Sequence, residues 1–355
     1  MRIVGLSYQT APFRHFAPPS PPSPPDLSSL QPSVKQPATA TTPQATTNSI
    51  GKSSVIAAFL LQLQAGGYTS LSGTDVDDIL NGWSNSLVDA GDGNDVVNVW
   101  AGSVVDAGAG DDVVKAWSDS TVKGGDGNDR IDVWSNSVVS AGSGDDIVKA
   151  WSGSTVDAGA GNDIIDVWSD STVDAGAGDD VIKAWSETAV SGGTGNDTIS
   201  VWSDSRADGG EGDDVISVWS GSIALGGAGN DTISAGPGAA IAGGTGDDLI
   251  SAQNGARISF AAGDGKDTIY AGQDSRIDLG QGISRDKTHV TISGTTALVT
   301  FDGSDDQITL NLDPRSPATL AFADGSVLEV APEDPASVLR SRYHAIEIAV
   351  QQYDH

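Results

Sequence analysis

The chain has 355 residues, no cysteine, and 48 acidic against 18 basic side chains, for a formal net charge of −30 at pH 7. The missing cysteines exclude disulfides and thiolate metal sites. The acidic excess excludes partners that need cationic contacts, so neither nucleic acid nor an anionic membrane surface is expected. Small cations suit such a chain. The charge is also concentrated: residues 72–260 hold 32 Asp or Glu against 7 Lys or Arg. A stretch so self-repelling, and so poor in large apolar side chains, needs a neutralising counter-ion to fold.

In chain order, residues 1–53 read as a disordered Pro/Ser/Thr-rich tail. The run from Ala17 to Pro25 favours polyproline II, and the Thr/Gln/Ala stretch after it has no apolar period. Ile3-Val4-Gly5-Leu6 is too short for the h-region of a cleaved signal peptide. The apolar run at 54–64 is too short to span a bilayer, so no transmembrane segment is expected. A capping helix over 54–71 is the reading that fits it.

From residue 72 the sequence repeats. All nine tryptophans, from Trp83 to Trp219, lie 17 residues apart, and ten units run without an insertion over 72–241. The consensus is D-A-G-x-G-[ND]-D-x-[VI]-x-[VA]-W-S-x-S-x-V. A fixed period of this size specifies a solenoid in which each unit buries its apolar face only against its neighbours. Seventeen residues suffice for one flattened coil of two short strands and two turns. Two apolar rows should point inward, one through Val97, Val114, Ile131, Val148, Ile165, Ile182, Ile199 and Ile216, the other from Val105 to Val190. At about 4.8 Å per coil, 11 coils give a rod of roughly 50 Å.

Each unit carries G-x-G-[ND]-D, as in Gly91-Asp92-Gly93-Asn94-Asp95. The glycines let the backbone curl until carbonyl oxygens share a centre, and the last Asp adds a carboxylate. Calcium takes about six to eight oxygen ligands, more than one loop holds but within reach of two stacked loops. With the strand residues that follow, segments such as Gly124-Gly125-Asp126-Gly127-Asn128-Asp129-Arg130-Ile131-Asp132 resemble the G-G-x-G-x-D-x-U-x repeat of the haemolysin-type calcium-binding (RTX) family, a motif known for calcium-binding β-helices. The resemblance covers about residues 72–270. It implies an all-β, right-handed parallel β-roll or β-helix solenoid, here of about 11 coils, that is disordered without calcium and folds after export. By position it implies Asp95, Asp112, Asp129, Asp146, Asp163, Asp180, Asp197, Asp214, Asp231 and Asp248 as calcium ligands. The family unit has nine residues, whereas the loop here comes once per 17, so about nine Ca2+ ions are expected along one edge only. The first unit, Thr74-Asp75-Val76-Asp77-Asp78, lacks both glycines, which puts its site in doubt.

Three further patterns stand out. Asn and Asp alternate before the ligand position with a period of 34, and Lys115, Asp132, Lys149, Asp166 and Lys183 alternate in sign as a register-fixing ladder. The tryptophans should stack as a structural ladder, or as an aromatic rail for extracellular polysaccharide. The Ser-x-Ser pairs offer a hydroxyl row, but with too little Thr for an ice-binding surface.

Residues 271–332 read as a small β-rich C-terminal cap with strands at 289–293, 296–301, 307–311 and 318–322. Its Phe322-Ala323-Asp324-Gly325-Ser326 resembles a signature of modules that follow such repeats. Residues 333–355 read as a C-terminal helix or tail. The four histidines are scattered and no catalytic constellation appears, so a non-enzymatic protein is expected. The resemblance implies secretion by type I export without a cleaved signal peptide, and a structural role or contact with a host or cell surface. An effector delivered to a host by its N-terminal region is the remaining alternative.

Overall fold

A computed structural model describes residues 67–333. The tail expected over 1–53 and the C-terminal segment after 333 lie outside these residues, as does the expected capping helix as far as residue 66. Its last residues are strand instead, because Thr69–Ser72 pairs in parallel with the next coil. Among the described residues no helix is long and apolar enough to cross a membrane.

The described chain is a parallel β-solenoid. Thirty strands run from β1 (Thr69–Ser72) to β30 (Val327–Val330) and divide into two 15-stranded sheets, odd strands on one and even strands on the other until the last few. Twelve coils take the chain as far as β23 (Arg257–Phe260) and β24 (Lys266–Ala271). Register follows the 17-residue period without slippage: Val156 pairs with Val139 and Val173, and Ile165 pairs with Val148 and Ile182.

The core is the slab between the sheets. Val97, Val114, Ile131, Val148, Ile165, Ile182, Ile199 and Ile216 are all at most 1% exposed, and the row from Val105 to Val190 at most 3%. Alternation holds strictly, since a one-residue slip would turn every one of these side chains to solvent. Small residues complete the slab: Ala107, Ala141, Ala158 and Ala175 are fully buried.

The four C-terminal strands form where the alternation placed them, as β26 (Thr288–Ser293), β27 (Thr296–Phe301), β28 (Gln307–Leu312) and β29 (Ala318–Ala321). They do not begin a separate layer at 271. β28 and β29 pair in parallel with β24 and with β25 (Arg276–Leu279), and only β26, β27 and β30 turn antiparallel. The reason is packing: Ile269, Ile277, Ile308 and Leu320 are buried and continue the same inward rows.

The two turns of a coil use different backbone solutions. In W-S-x-S the third residue is left-handed, with Asn85, Asp119, Asn136, Asp170 and Asp204 at φ 59–62° and Gly153 and Gly221 at 72–77°, and Gly255 holds the same place in Gln253-Asn254-Gly255-Ala256 at 72°. Asn, Asp and Gly tolerate that region best. The calcium-type loop is stricter. Gly159 sits at φ +108°, and a Cβ there would collide with the Gly142 carbonyl oxygen of the preceding coil. Gly159→Ala should therefore cost at least about 1–3 kcal/mol, whereas Gly255→Asn, with open space around it, should be near neutral. Urea denaturation of the two variants in calcium checks this, and equal costs would contradict it.

Candidate metal centre

The loop turns the chain from one sheet to the other and delivers its last Asp inward. Asp95, Asp112, Asp129, Asp146, Asp163, Asp180, Asp197, Asp214, Asp231 and Asp248 are all 2% exposed or less. One carboxylate oxygen of each is fixed by the preceding coil: the Asp95 N–H donates to Asp112 Oδ1 at 2.7 Å, Asp112 to Asp129 at 2.8 Å, Asp146 to Asp163 at 2.7 Å, and so on to Asp248. The ten form one continuous column along one edge.

The second oxygen is different. Oδ2 of all ten is buried without a hydrogen-bond partner. Its surroundings are visible where the residue five before is glycine. A Cβ on Gly124 would collide with both Asp129 Oδ2 and the Ala141 carbonyl oxygen of the next coil, and Gly192, Gly209 and Gly226 repeat the arrangement. Two acceptors from successive coils thus face one small space. Leaving such a group unsatisfied costs about 1–3 kcal/mol, and more when it is charged. Ten in one molecule call for a cation or for protons.

Electrostatics points the same way. Burial pushes these carboxyls up, to about 6 for Asp112 and Asp146 and to about 7 for Asp129, Asp180 and Asp214, with neighbouring Asp charges adding to the effect and the backbone N–H opposing it. Asp163, Asp197 and Asp231 are raised for the same leading reason.

The donor set is hard and oxygen-only, as calcium requires. Among the described residues no three His, Cys, Asp or Glu side chains converge on one point. The column supplies one carboxylate per coil, so main-chain carbonyls must complete any coordination shell. The ends of the column differ. Asp78 Oδ2 accepts from the Thr74 N–H at 2.7 Å and the Thr74 hydroxyl at 2.8 Å, so this first loop satisfies itself. At the other end Asp267 continues the column: it is buried, its Oδ1 accepts from the Asp248 N–H at 3.2 Å, and its carboxyl is pushed up to about 8, mainly by burial. The ligand set read from the sequence omits it. The signal was there, since Gly263-Asp264-Gly265-Lys266-Asp267 keeps the loop spacing, but it follows after 19 residues instead of 17.

The opposite edge is the neutral counterpart. Ser103, Ser120, Ser137 and Ser154 are buried, and each accepts the N–H of the preceding coil at 3.1–3.3 Å, the bond that Asp makes across the roll. The second Ser of each pair therefore forms an ordered hydroxyl row, which lies inside the coil and not on an outer face. Outside the Asp column, the alternating Asn/Asp position makes an exposed ladder of reverse sense: the Asn162 N–H donates to Asp145 Oδ1 at 2.8 Å, and the Asp179 N–H to Asn162 Oδ1 at 2.7 Å. The indoles stack face to face from Trp83 to Trp219, with centroids 4.6–6.2 Å apart and planes within 2–18°.

The RTX calcium-binding nonapeptide repeat model matches residues 118–137, 154–171, 167–186, 189–205, 223–239, 240–256 and 259–276. No curated protein matches the chain. Among solved structures, the extracellular lipase LipA from Serratia marcescens is similar at 20% identity over 59% of this chain and 40% of that one, with a TM-score of 0.26. The chain spans less than half of that lipase. The segments of this chain that match the repeat model fall on coils that carry the buried carboxylates, and those segments are repeats of the RTX calcium-binding type.

Proposed function

We propose that this is an exported, non-enzymatic protein whose roll is closed along one edge by about nine calcium ions, held by the ten Asp residues Asp95 to Asp248 together with loop carbonyls. The observation that carries the reading is the set of ten buried Oδ2 atoms with no partner, four of which, on Asp129, Asp197, Asp214 and Asp231, share their space with a main-chain carbonyl of the next coil. When bound, calcium supplies neutralisation and cross-linking of successive coils. The chain's own part is to hold each carboxylate by one oxygen and leave the other free. Export by a type I route and a structural or cell-surface role go with the family. Within the described residues the single histidine, His289, lies on the exposed hairpin and pairs with Asp302 at 2.9 Å.

A polysaccharide rail on the tryptophans is the weaker reading. Sugars bind indoles through their faces, and here those faces cover one another. Delivery into a host rests on residues 1–50, outside the described chain.

Calcium titrated into the chelated protein should produce a cooperative gain of β-structure in far-UV circular dichroism that magnesium does not reproduce. A chain already folded in chelator and indifferent to calcium would overturn the reading.

Asp163→Asn separates a ligand from a merely buried carboxylate by the sign of its effect. With calcium it should destabilise by about 1–3 kcal/mol and raise the calcium midpoint. Without calcium it should stabilise, because an amide N–H replaces an unpaired oxygen. Denaturation in both conditions measures this, and one sign throughout would contradict it.

The pH response follows from the raised carboxyls. In the folded chain Asp112, Asp129, Asp146, Asp180 and Asp214 hold protons up to about 6–7, while in the unfolded chain they ionise at about 4. The folded state therefore binds more protons in that window, and stability without calcium rises as pH falls through it. The chelated protein should be more ordered at pH 5 than at pH 8, and calcium should remove the difference. Circular dichroism at the two pH values shows which holds.

A further inference from the structure

The outer face of the even-numbered sheet is unusually apolar for solvent. Three columns run along it because alternate strand residues point outward. In the coil of β10 (Ile147–Ala150) they are Ile147, Lys149 and the indole of Trp151, which directly follows the strand. Ile164 is 51% exposed, Val181 37%, Val215 47% and Leu249 41%. Arg130, Thr198 and Thr232 interrupt the column, and between the first two Ile147, Ile164 and Val181 form a run of half-exposed to exposed apolar side chains, the kind of patch that marks an interaction surface.

The middle column says what covers it. Lys115, Asp132, Lys149, Asp166 and Lys183 stand in strict register as successive Cα partners. None of them closes an ion pair within the chain among the described residues. Beyond them the column is neutral, with Asn98 at one end and Ser200 and Ser217 at the other.

Such a ladder tests every way in which a second copy could face the first. A two-fold axis along the rod places Lys149 against Lys149 and Asp166 against Asp166, which is repulsive throughout. A two-fold axis across the rod, passing through a coil, does the same. An axis across the rod that passes between coils sets no like charges opposite: with the axis between the coils of Lys149 and Asp166, Lys149 faces the second copy's Asp166 and Asp132 faces its Lys183, while Lys115 meets Ser200. The same operation sets Ile147 against the second copy's Ile164 and Val96 against its Val215, with Arg130 beside Val181 and Val113 beside Thr198, and brings the eight indoles from Trp100 to Trp219 against the second copy's indoles. Like charges held opposite repel, so the ladder selects the antiparallel orientation and an axis between coils.

We infer that this face is a self-complementary docking surface, and that two calcium-loaded rods pair through it antiparallel about an axis between coils. A polysaccharide on the face, or the chain's own residues 55–64 covering it, are the competing occupants.

The absence of cysteine makes the arrangement measurable on the full chain in calcium, with circular dichroism confirming that the roll is folded. Sedimentation equilibrium should give a dimer. A spin label on Asn98→Cys should report about 34 Å for the axis next to Lys149 and Asp166, or about 24 Å for the axis one coil earlier, from the ~4.8 Å coil spacing. Lys149→Glu with Lys183→Glu should weaken the dimer at least tenfold, with the calcium-induced dichroism unchanged. A folded monomer at high protein concentration would overturn the inference, as would a label distance below about 15 Å, which means parallel rods. The label alone decides it if the double variant fails to fold. Loss of folding in calcium would instead count against the proposed calcium edge.

Discussion

A carboxylate buried with only one of its two oxygens satisfied is the condition on which the whole rod depends. A single such group is a local cost; ten in one column are a property of the fold. The N–H of the preceding coil holds each Asp in place and fixes the spacing between coils, and the free oxygen makes that spacing costly until something positive arrives. Stability and ligand binding thus share one set of atoms, so a chain that lacks its ion lacks part of its core. The acidic composition follows from the same requirement.

The opposite edge shows what the charge is for. Ser occupies the position of Asp, makes the same bond from the neighbouring N–H, and leaves no unpaired oxygen. That edge closes unaided, with stacked indoles beside it. The roll therefore has one conditional side and one unconditional side. The slab between them, Val, Ile and Ala only two rows deep, is too thin to make the conditional side irrelevant.

Much of this was legible because the period is exact in the sequence. A 17-residue spacing fixes which residues stack, so the inward rows, the loop and its aspartates follow from alternation and glycine placement. Asp267 escaped because two extra residues break the count while the geometry continues. The internal Ser ladder escaped because spacing does not say which Ser of a pair points inward; that depends on the left-handed residue between them, such as Asp119. The boundary at 271 was read from the loss of the loop motif, whereas the solenoid is held by its inward rows, and Ile277, Ile308 and Leu320 carry those on. The Lys/Asp ladder kept its register without closing ion pairs, so its charges remain free to act outward.

The alternation of Asn with Asp and of Lys with Asp has a consequence for how such a molecule can change in length. Excising one coil would splice the fold without disturbing a single backbone bond, yet it would set Asp111 beside Asp145 in the outer ladder and Lys115 beside Lys149 on the sheet. Excising two coils leaves every neighbour of the kind it had before. The smallest neutral edit to this rod is therefore 34 residues, and duplication or loss in its history would be expected to proceed by pairs.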